Sequence, residues 1–177
     1  MLSVAESRAR ELIEAWNQHD LESFGTFLSD TIWWYDPSMP DPPAVGRAAV
    51  MDFSRSVLRA FPDVHYAIRG PICASADGRS CAIPWRSTGT QQALLDPPGF
   101  APTGSRVSVD GVDLLYVTNN LVSRIETFFD PLAAAAETFG INLRPPTGSL
   151  AEMLLVRAQR VRAAWLRRRA QKGEQRR

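Results

Sequence analysis

The chain has 177 residues, 45% of them hydrophobic and 22% charged, with a formal net charge of +1. That composition belongs to globular domains and excludes a disordered or collagen-like chain, and at this length folding buries roughly 70% of the surface of the unfolded chain, enough for one core without a structural metal. The charge is uneven: residues 148–177 hold nine basic residues against two acidic ones, leaving eleven basic against seventeen acidic elsewhere, so an acidic body makes a poor footprint for nucleic acid.

Two cysteines, Cys73 and Cys81, are too few for a disulfide framework and lack zinc-site spacing. Charge follows the N-terminus at once and no run of about 18 apolar residues occurs, so a cytoplasmic, soluble chain is expected.

Over residues 5–28, Ala9, Leu12, Ile13, Trp16, Leu21, Phe24, Phe27 and Leu28 recur at helical spacing, which predicts two helices broken near 17–20, the second capped by Asp20. Residues 31–43 form a short β-prone run that four prolines turn into a loop, and a third helix over 48–60 must end before Pro62. The period then changes to two. Val64, Tyr66 and Ile68 open a strand, and 72–75 with 80–90 form a hairpin around Asp77-Gly78, read as a type I′ turn. That turn sets Cys73 opposite Ala82 and Cys81 opposite Ala74, so the sulfurs lie on opposite faces, cannot bond, and are read as small core residues.

A second hairpin joins 106–117 to 121–129 through Thr118-Asn119-Asn120. Pairing Thr118 with Leu121 sets Asp113 opposite Glu126 and puts Asp113, Arg124, Glu126, Phe128 and Asp130 on one face. The other face, with Val112, Leu114, Tyr116, Ile125 and Phe129, is then core or a subunit interface. Asp130 before Pro131 suits the cap of a helix over 131–139. The domain is expected to end near 141, with domains at 1–143 and 144–177. In the second, a Pro-rich linker precedes an amphipathic helix opened by a capping box of Ser149 and Glu152. Its basic back could touch membrane or nucleic acid, although packing on the body or on a neighbouring subunit is the expectation. Helices first and a twisted antiparallel sheet after predict an α+β domain.

Several segments together resemble the SnoaL-like polyketide cyclases of the nuclear transport factor two-like fold, which includes ketosteroid isomerase: Glu14-Ala-Trp-Asn17 with Asp20, Trp34-Tyr-Asp-Pro37, Phe61-Pro-Asp63, Trp85-Arg-Ser-Thr-Gly-Thr90, Pro102-Thr-Gly104, and Arg124-Ile-Glu-Thr-Phe-Phe-Asp130 leading to Phe139-Gly140. They span about residues 5–141 in order. The resemblance implies a cone-shaped barrel whose curved mixed or antiparallel sheet wraps three N-terminal helices around an apolar pocket. It further implies a homodimer through the sheet face, no metal or organic cofactor, and an intramolecular aldol closure or isomerisation begun by an acid that removes a proton beside a carbonyl. Asp113 falls where the partner acid of that chemistry would lie, and Asp36 matches the general base of ketosteroid isomerase. The oxyanion tyrosine of that enzyme would fall at Leu12, which has no hydroxyl.

The candidate catalytic residues are therefore Asp113, Glu126, Asp36 and Asp130. Two carboxylates opposite one another repel unless one is neutral, which suits an acid and base pair, while Arg124 could instead neutralise Glu126 on a wet outer face. Asp36 beside Pro37 also suits an Asx-turn. Substrate is expected against Trp16, Trp33, Trp34, Phe53, Trp85, Arg86, Leu115 and Phe128. An inward Arg86 with two acids would resemble the limonene epoxide hydrolases of this fold. His19 and His65 are not spaced as metal ligands. Residues 94–101 read equally as a lid, with Phe100 as an apolar plug, or as a plain surface loop. The leading expectation is a cofactor-independent cyclase or isomerase of an apolar, polyketide-like carbonyl compound. An epoxide hydrolase-like enzyme, or a non-catalytic binding or scaffold domain whose terminal helix makes partner contacts, stands beside it.

Overall fold

The computed structural model describes residues 2–39, 41–96, 99–140 and 145–174, and the chain divides into two compact units, Met1–Ile141 and Asn142–Arg177. In the first unit, α1 (Val4–Asn17) starts at Ser3, whose side chain accepts from the Glu6 N–H. The helix α2 (Leu21–Thr26) starts at Asp20, which accepts from the Ser23 N–H at 3.0 Å. Then follow β1 (Leu28–Tyr35), β2 (Ala44–Val45), α3 (Arg47–Ala60), β3 (His65–Ile68), β4 (Cys73–Ala74), β5 (Ser80–Thr90), β6 (Arg106–Thr118), β7 (Leu121–Phe129) and α4 (Pro131–Phe139).

The seven strands form one curved, unclosed sheet in the order β2-β1-β7-β6-β5-β3, with β4 also on β5. It is mixed, since β1 and β7 run parallel while the other pairs are antiparallel. The core joins Ala5, Ala9, Leu12 and Trp16 of α1, Phe24 of α2 and Val50 of α3 to the inner face of the sheet at Ile32, Ile83, Leu115, Val117, Val122 and Ile125. The α+β class and the curved sheet agree with the sequence reading.

Two turn assignments separate. Cys73 pairs with Ala82 and Ala74 with Cys81 as expected, yet only Gly78 of the Asp77-Gly78 pair has positive φ, so the turn is not type I′, which needs positive φ at both central residues. Cys81 is buried and Cys73 exposed, both free, which corrects the reading of Cys73 as core: its side chain lies on the face opposite the buried Cys81. The Asn119-Asn120 turn does have positive φ at both positions.

The main correction concerns the second hairpin. Thr118 pairs with Leu121 and Val117 with Val122, but Tyr116 pairs with Arg124, leaving Ser123 as an extra residue on β7. This bulge shifts the rest by one. Asp113 faces Thr127 rather than Glu126, and Glu126 lies opposite Leu114. Inner positions are thus Gly111, Asp113, Leu115, Ile125, Thr127 and Phe129; Val112, Leu114, Tyr116, Arg124, Glu126 and Phe128 alternate outward.

In the second unit, α5 (Leu150–Glu174) opens with Ser149 accepting from the Glu152 N–H at 3.2 Å, while Glu152 accepts from the Gly148 N–H at 2.5 Å. Glu152 reaches one residue further back than a standard capping box. Ile141 and Arg144, where the first domain and the linker were expected to meet, lie outside the described residues. Among those described, no helix is long and apolar enough to cross a membrane.

Candidate active site

Side chains from both helices and sheet line two neighbouring cavities. The outer, about 390 Å³, is lined by Phe53 and Phe61 near α3, Trp85 and Ser87 of β5, Val107 and Val109 of β6, Phe129 of β7, and Ala134 and Thr138 of α4 among others, and none of its described lining residues is basic. The inner, about 40 Å³, is lined by Leu12 and Trp16 of α1, Trp34 of β1, Asp113 of β6 and Thr127 of β7 among others. Asp36 and Tyr66 are the two residues that line both. Those two side chains stand where the cavities adjoin.

Asp36 follows β1 directly, and the alternation that turns Ile32 and Trp34 inward turns Asp36 inward as well, leaving it 6% exposed. The turn beyond it gives its carboxylate two donors, as both the N–H and the hydroxyl of Ser38 bond Oδ1, at 2.7 and 2.6 Å. Asx-turn and cavity wall are therefore one residue, with Oδ2 outside those two bonds. Burial outweighs the Ser38 donors and raises the Asp36 pKa.

Asp113 sits on the inner face by alternation along β6 with the core residues Leu115 and Val117, and the Ser123 bulge brings Thr127 opposite it. Its Oδ1 is sealed from solvent without a hydrogen-bond partner, and burial pushes its carboxyl up to about 7, opposed by the Thr127 hydroxyl and the Trp85 indole N–H and reinforced by the charge of Asp36. The Thr127 oxygen already accepts from Trp34 Nε1 at 2.9 Å, which leaves its own proton to point at Asp113. Trp85 Nε1 closes no hydrogen bond of ordinary geometry, though it lies near enough to Asp113 to favour the charged form. Gly111, paired with Trp85, makes room for that indole: a Cβ there would overlap Trp85 Cζ2 and Cη2.

The remaining expected residues divide by face. Trp16 and Trp34 line the inner chamber, Phe53 and Trp85 the outer. Leu115 is packed into the core beneath them. Asp130 caps α4, accepting from the N–H groups of Leu132 and Ala133. Glu126 is on the outer face in an ion pair with Arg124 at 3.0 Å, and that guanidinium also covers the Trp33 ring, which stacks on Tyr35. Phe128 is 48% exposed. Arg86 points outward and forks onto Asp110 at 2.8 and 2.5 Å, so an arginine with two acids is not assembled in the cavity. Leu95 and Phe100 from the 94–101 segment reach the outer chamber, where the Phe100 ring meets Phe139 at 4.3 Å.

The sequence reading missed Tyr66 and Thr127 as site residues. Tyr66 shares strand parity with Val64, which lines the outer chamber; Thr127 was hidden by the bulge.

The model of the SnoaL-like domain family matches residues 9–125. The chain belongs to the SnoaL-like family. No functionally curated protein matches it, but many solved structures share its fold. A protein of Jannaschia sp. CCS1 described as a SnoaL-like polyketide cyclase has TM-score 0.65 at 19% identity, covering 79% of this chain and 92% of its own. AclR from Streptomyces galilaeus, described as a hydroxylase, has TM-score 0.64 at 24% identity over 93% and 94%. RV0760c from Mycobacterium tuberculosis, solved with estradiol-17beta-hemisuccinate, has TM-score 0.59 at 16% identity over 72% and 95%. These similarities establish the fold; the chemistry of the SnoaL-like chain rests on its own side chains.

Proposed function

We propose that this SnoaL-like protein is an acid/base enzyme, a cyclase or isomerase that removes a proton beside the carbonyl of an apolar, polyketide-like substrate without a cofactor. One observation carries the reading: two inward carboxyl groups, Asp36 and Asp113, line the same small cavity, Asp36 also lines the larger apolar one, and burial raises the pKa of both. A cavity of this size and lining suits an apolar multi-ring skeleton, and the steroid body of the estradiol hemisuccinate bound to RV0760c supports that class.

The roles follow from the two environments. Ser38 gives Asp36 two donors, so Asp36 holds the negative charge and is the base through Oδ2. Asp113, with Oδ1 unpartnered, holds the proton and donates to the substrate oxygen. Raised carboxyl groups set apart by their surroundings are what acid and base roles at neutral pH need. The C–H proton passes to Asp36 while its electron pair forms the C=C bond and the carbonyl pair moves onto oxygen, where Asp113 stabilises the enolate. The enolate then attacks a second carbonyl of the substrate or recovers a proton at another carbon.

The outer sheet face, with exposed Val112 and Phe128, is the surface proposed for a homodimer, to be checked by sedimentation.

The test is solvent deuterium incorporation in D₂O into a panel of apolar ketones and polyketide mimics, followed by mass spectrometry for the native protein, Asp113→Asn and Asp36→Asn. Exchange that both substitutions abolish supports the reading. No exchange from the native protein across the panel overturns it and favours epoxide hydrolysis or binding alone.

A further inference from the structure

We propose that the phenolic hydroxyl of Tyr66 is a catalytic hydrogen-bond donor of this site, holding the oxygen of a ketone substrate where the two cavities adjoin and supplying the donor that Leu12 cannot. The inference rests on the acid/base reading above. Leu12 and Tyr66 line the same inner chamber, so the hydroxyl absent from α1 is available from β3. The inner chamber, about 40 Å³, has room for a carbonyl oxygen or an ordered water, and an oxygen placed there has Asp113, Tyr66 and Asp36 in its walls.

Tyr66 is held in place more firmly than a short edge strand requires. The Asn17 side chain at the end of α1 clamps its backbone from both sides, donating from Nδ2 to the Tyr66 carbonyl at 2.9 Å and accepting from the Tyr66 N–H at 2.8 Å. Trp16 meets the Tyr66 ring edge-on at 5.8 Å, and Trp85 covers it at 5.0 Å. The pairing of Tyr66 with Ser87 brings their hydroxyls together. A donor fixed before substrate arrives costs no reorganisation when charge develops, which is what makes such donors effective. Burial and the nearby charges of Asp36 and Asp113 raise the phenol pKa, so this hydroxyl donates and does not ionise.

In the reacting complex, the proton leaves carbon for Asp36 Oδ2 and the carbonyl pair settles on oxygen, which accepts from both Tyr66 Oη and protonated Asp113. Tyr66 keeps its proton throughout.

The test compares native protein, Tyr66→Phe and Asp113→Asn, each confirmed as folded by near-ultraviolet circular dichroism. The probe is 1-tetralone labelled with ¹³C at the carbonyl. Tyr66→Phe is expected to lower the exchange rate constant about 10²–10³-fold, the loss typical of one oxyanion donor, with tetralone affinity little changed. Isotope-edited infrared spectra of the bound ketone should show a carbonyl stretch lowered in the native protein and restored toward its apolar-solvent position in Tyr66→Phe. A native rate in Tyr66→Phe beside an inactive Asp113→Asn overturns the role of Tyr66 and leaves the acid/base reading standing. A carbonyl band that Tyr66→Phe does not move also overturns it. Absence of exchange in the native protein removes the acid/base reading, and the catalytic role of Tyr66 with it.

Discussion

Asp113→Asn tests the site through stability as well as turnover. The Asp113 carboxyl is raised from its ordinary 3.8 to about 7 in the folded protein, so between those values the native state binds a proton that the unfolded state has released. Stability then falls as pH rises across that window. The contribution is fully present below about pH 4 and lost above about pH 7. A shift of roughly three pKa units corresponds to on the order of 4 kcal/mol. Asp36 is raised too and acts in the same direction. Asp20, Asp63, Asp77 and Asp110 are lowered, so their contributions are lost as pH falls below the ordinary carboxylate range, outside this window. Asn at 113 keeps the shape and removes the titration. With a urea dependence of about 2 kcal/mol per M for a chain of this size, the unfolding midpoint of Asp113→Asn should gain on the native protein by about 2 M between pH 4.5 and pH 8. Contributions common to both proteins cancel in that difference. Midpoints that run parallel in pH would show that Asp113 is not a buried, proton-holding group, and the acid role assigned to it would go too.

Gly111→Ala should cost about 1–3 kcal/mol, because the new Cβ would overlap the Trp85 ring and come within 2.8 Å of the Phe128 carbonyl oxygen; an unchanged urea midpoint would count against the seat. Arg86→Ala should leave deuterium exchange at the native rate, since the guanidinium is spent on Asp110 outside the cavity; lost turnover would put Arg86 inside. A thiol reagent at pH 8 should modify Cys73 rapidly and Cys81 only after unfolding, because burial pushes the Cys81 thiol up to about 11; two fast thiols on the folded protein would contradict its burial.

Much of the fold is legible in the chain because its signals are local. Asp20 sits ahead of helical periodicity, Pro37 ends the β1 run, Asp130-Pro131 opens α4, and Asn119-Asn120 accepts the positive φ values of its turn. Those signals place most elements to within a residue or two and put Asp113 in β6, whereas β1 begins at Leu28, three residues before the run read as β-prone, and Asp36 falls just after it. What they do not fix is strand parity beyond an irregularity. Ser123 resembles any other strand serine, yet its presence decides that Thr127 and not Glu126 faces Asp113. Phe128 falls on the Asp113 face only in a register without the bulge, and Trp33, read as an aromatic wall beside Asp36, alternates to the outer face under Arg124. Tyr66 escaped notice because its importance comes from Asn17, Trp16 and Trp85, distant in sequence and adjacent only after folding.

The unpaired residue on β7 also makes the strand unevenly tolerant of changes in length. Because Ser123 has no partner of its own across the hairpin, chains of two lengths can present one and the same inner wall. Deleting Ser123 would join Val122 to Arg124 and leave Ile125, Thr127 and Phe129 where they stand. Deleting one residue between 125 and 129 would instead transpose the rest of the strand, as a lost base transposes a reading frame. Among chains that keep this cavity, gaps in this hairpin should therefore gather at the turn and at that single step, while the stretch behind Asp113 stays constant in number even where its residues differ.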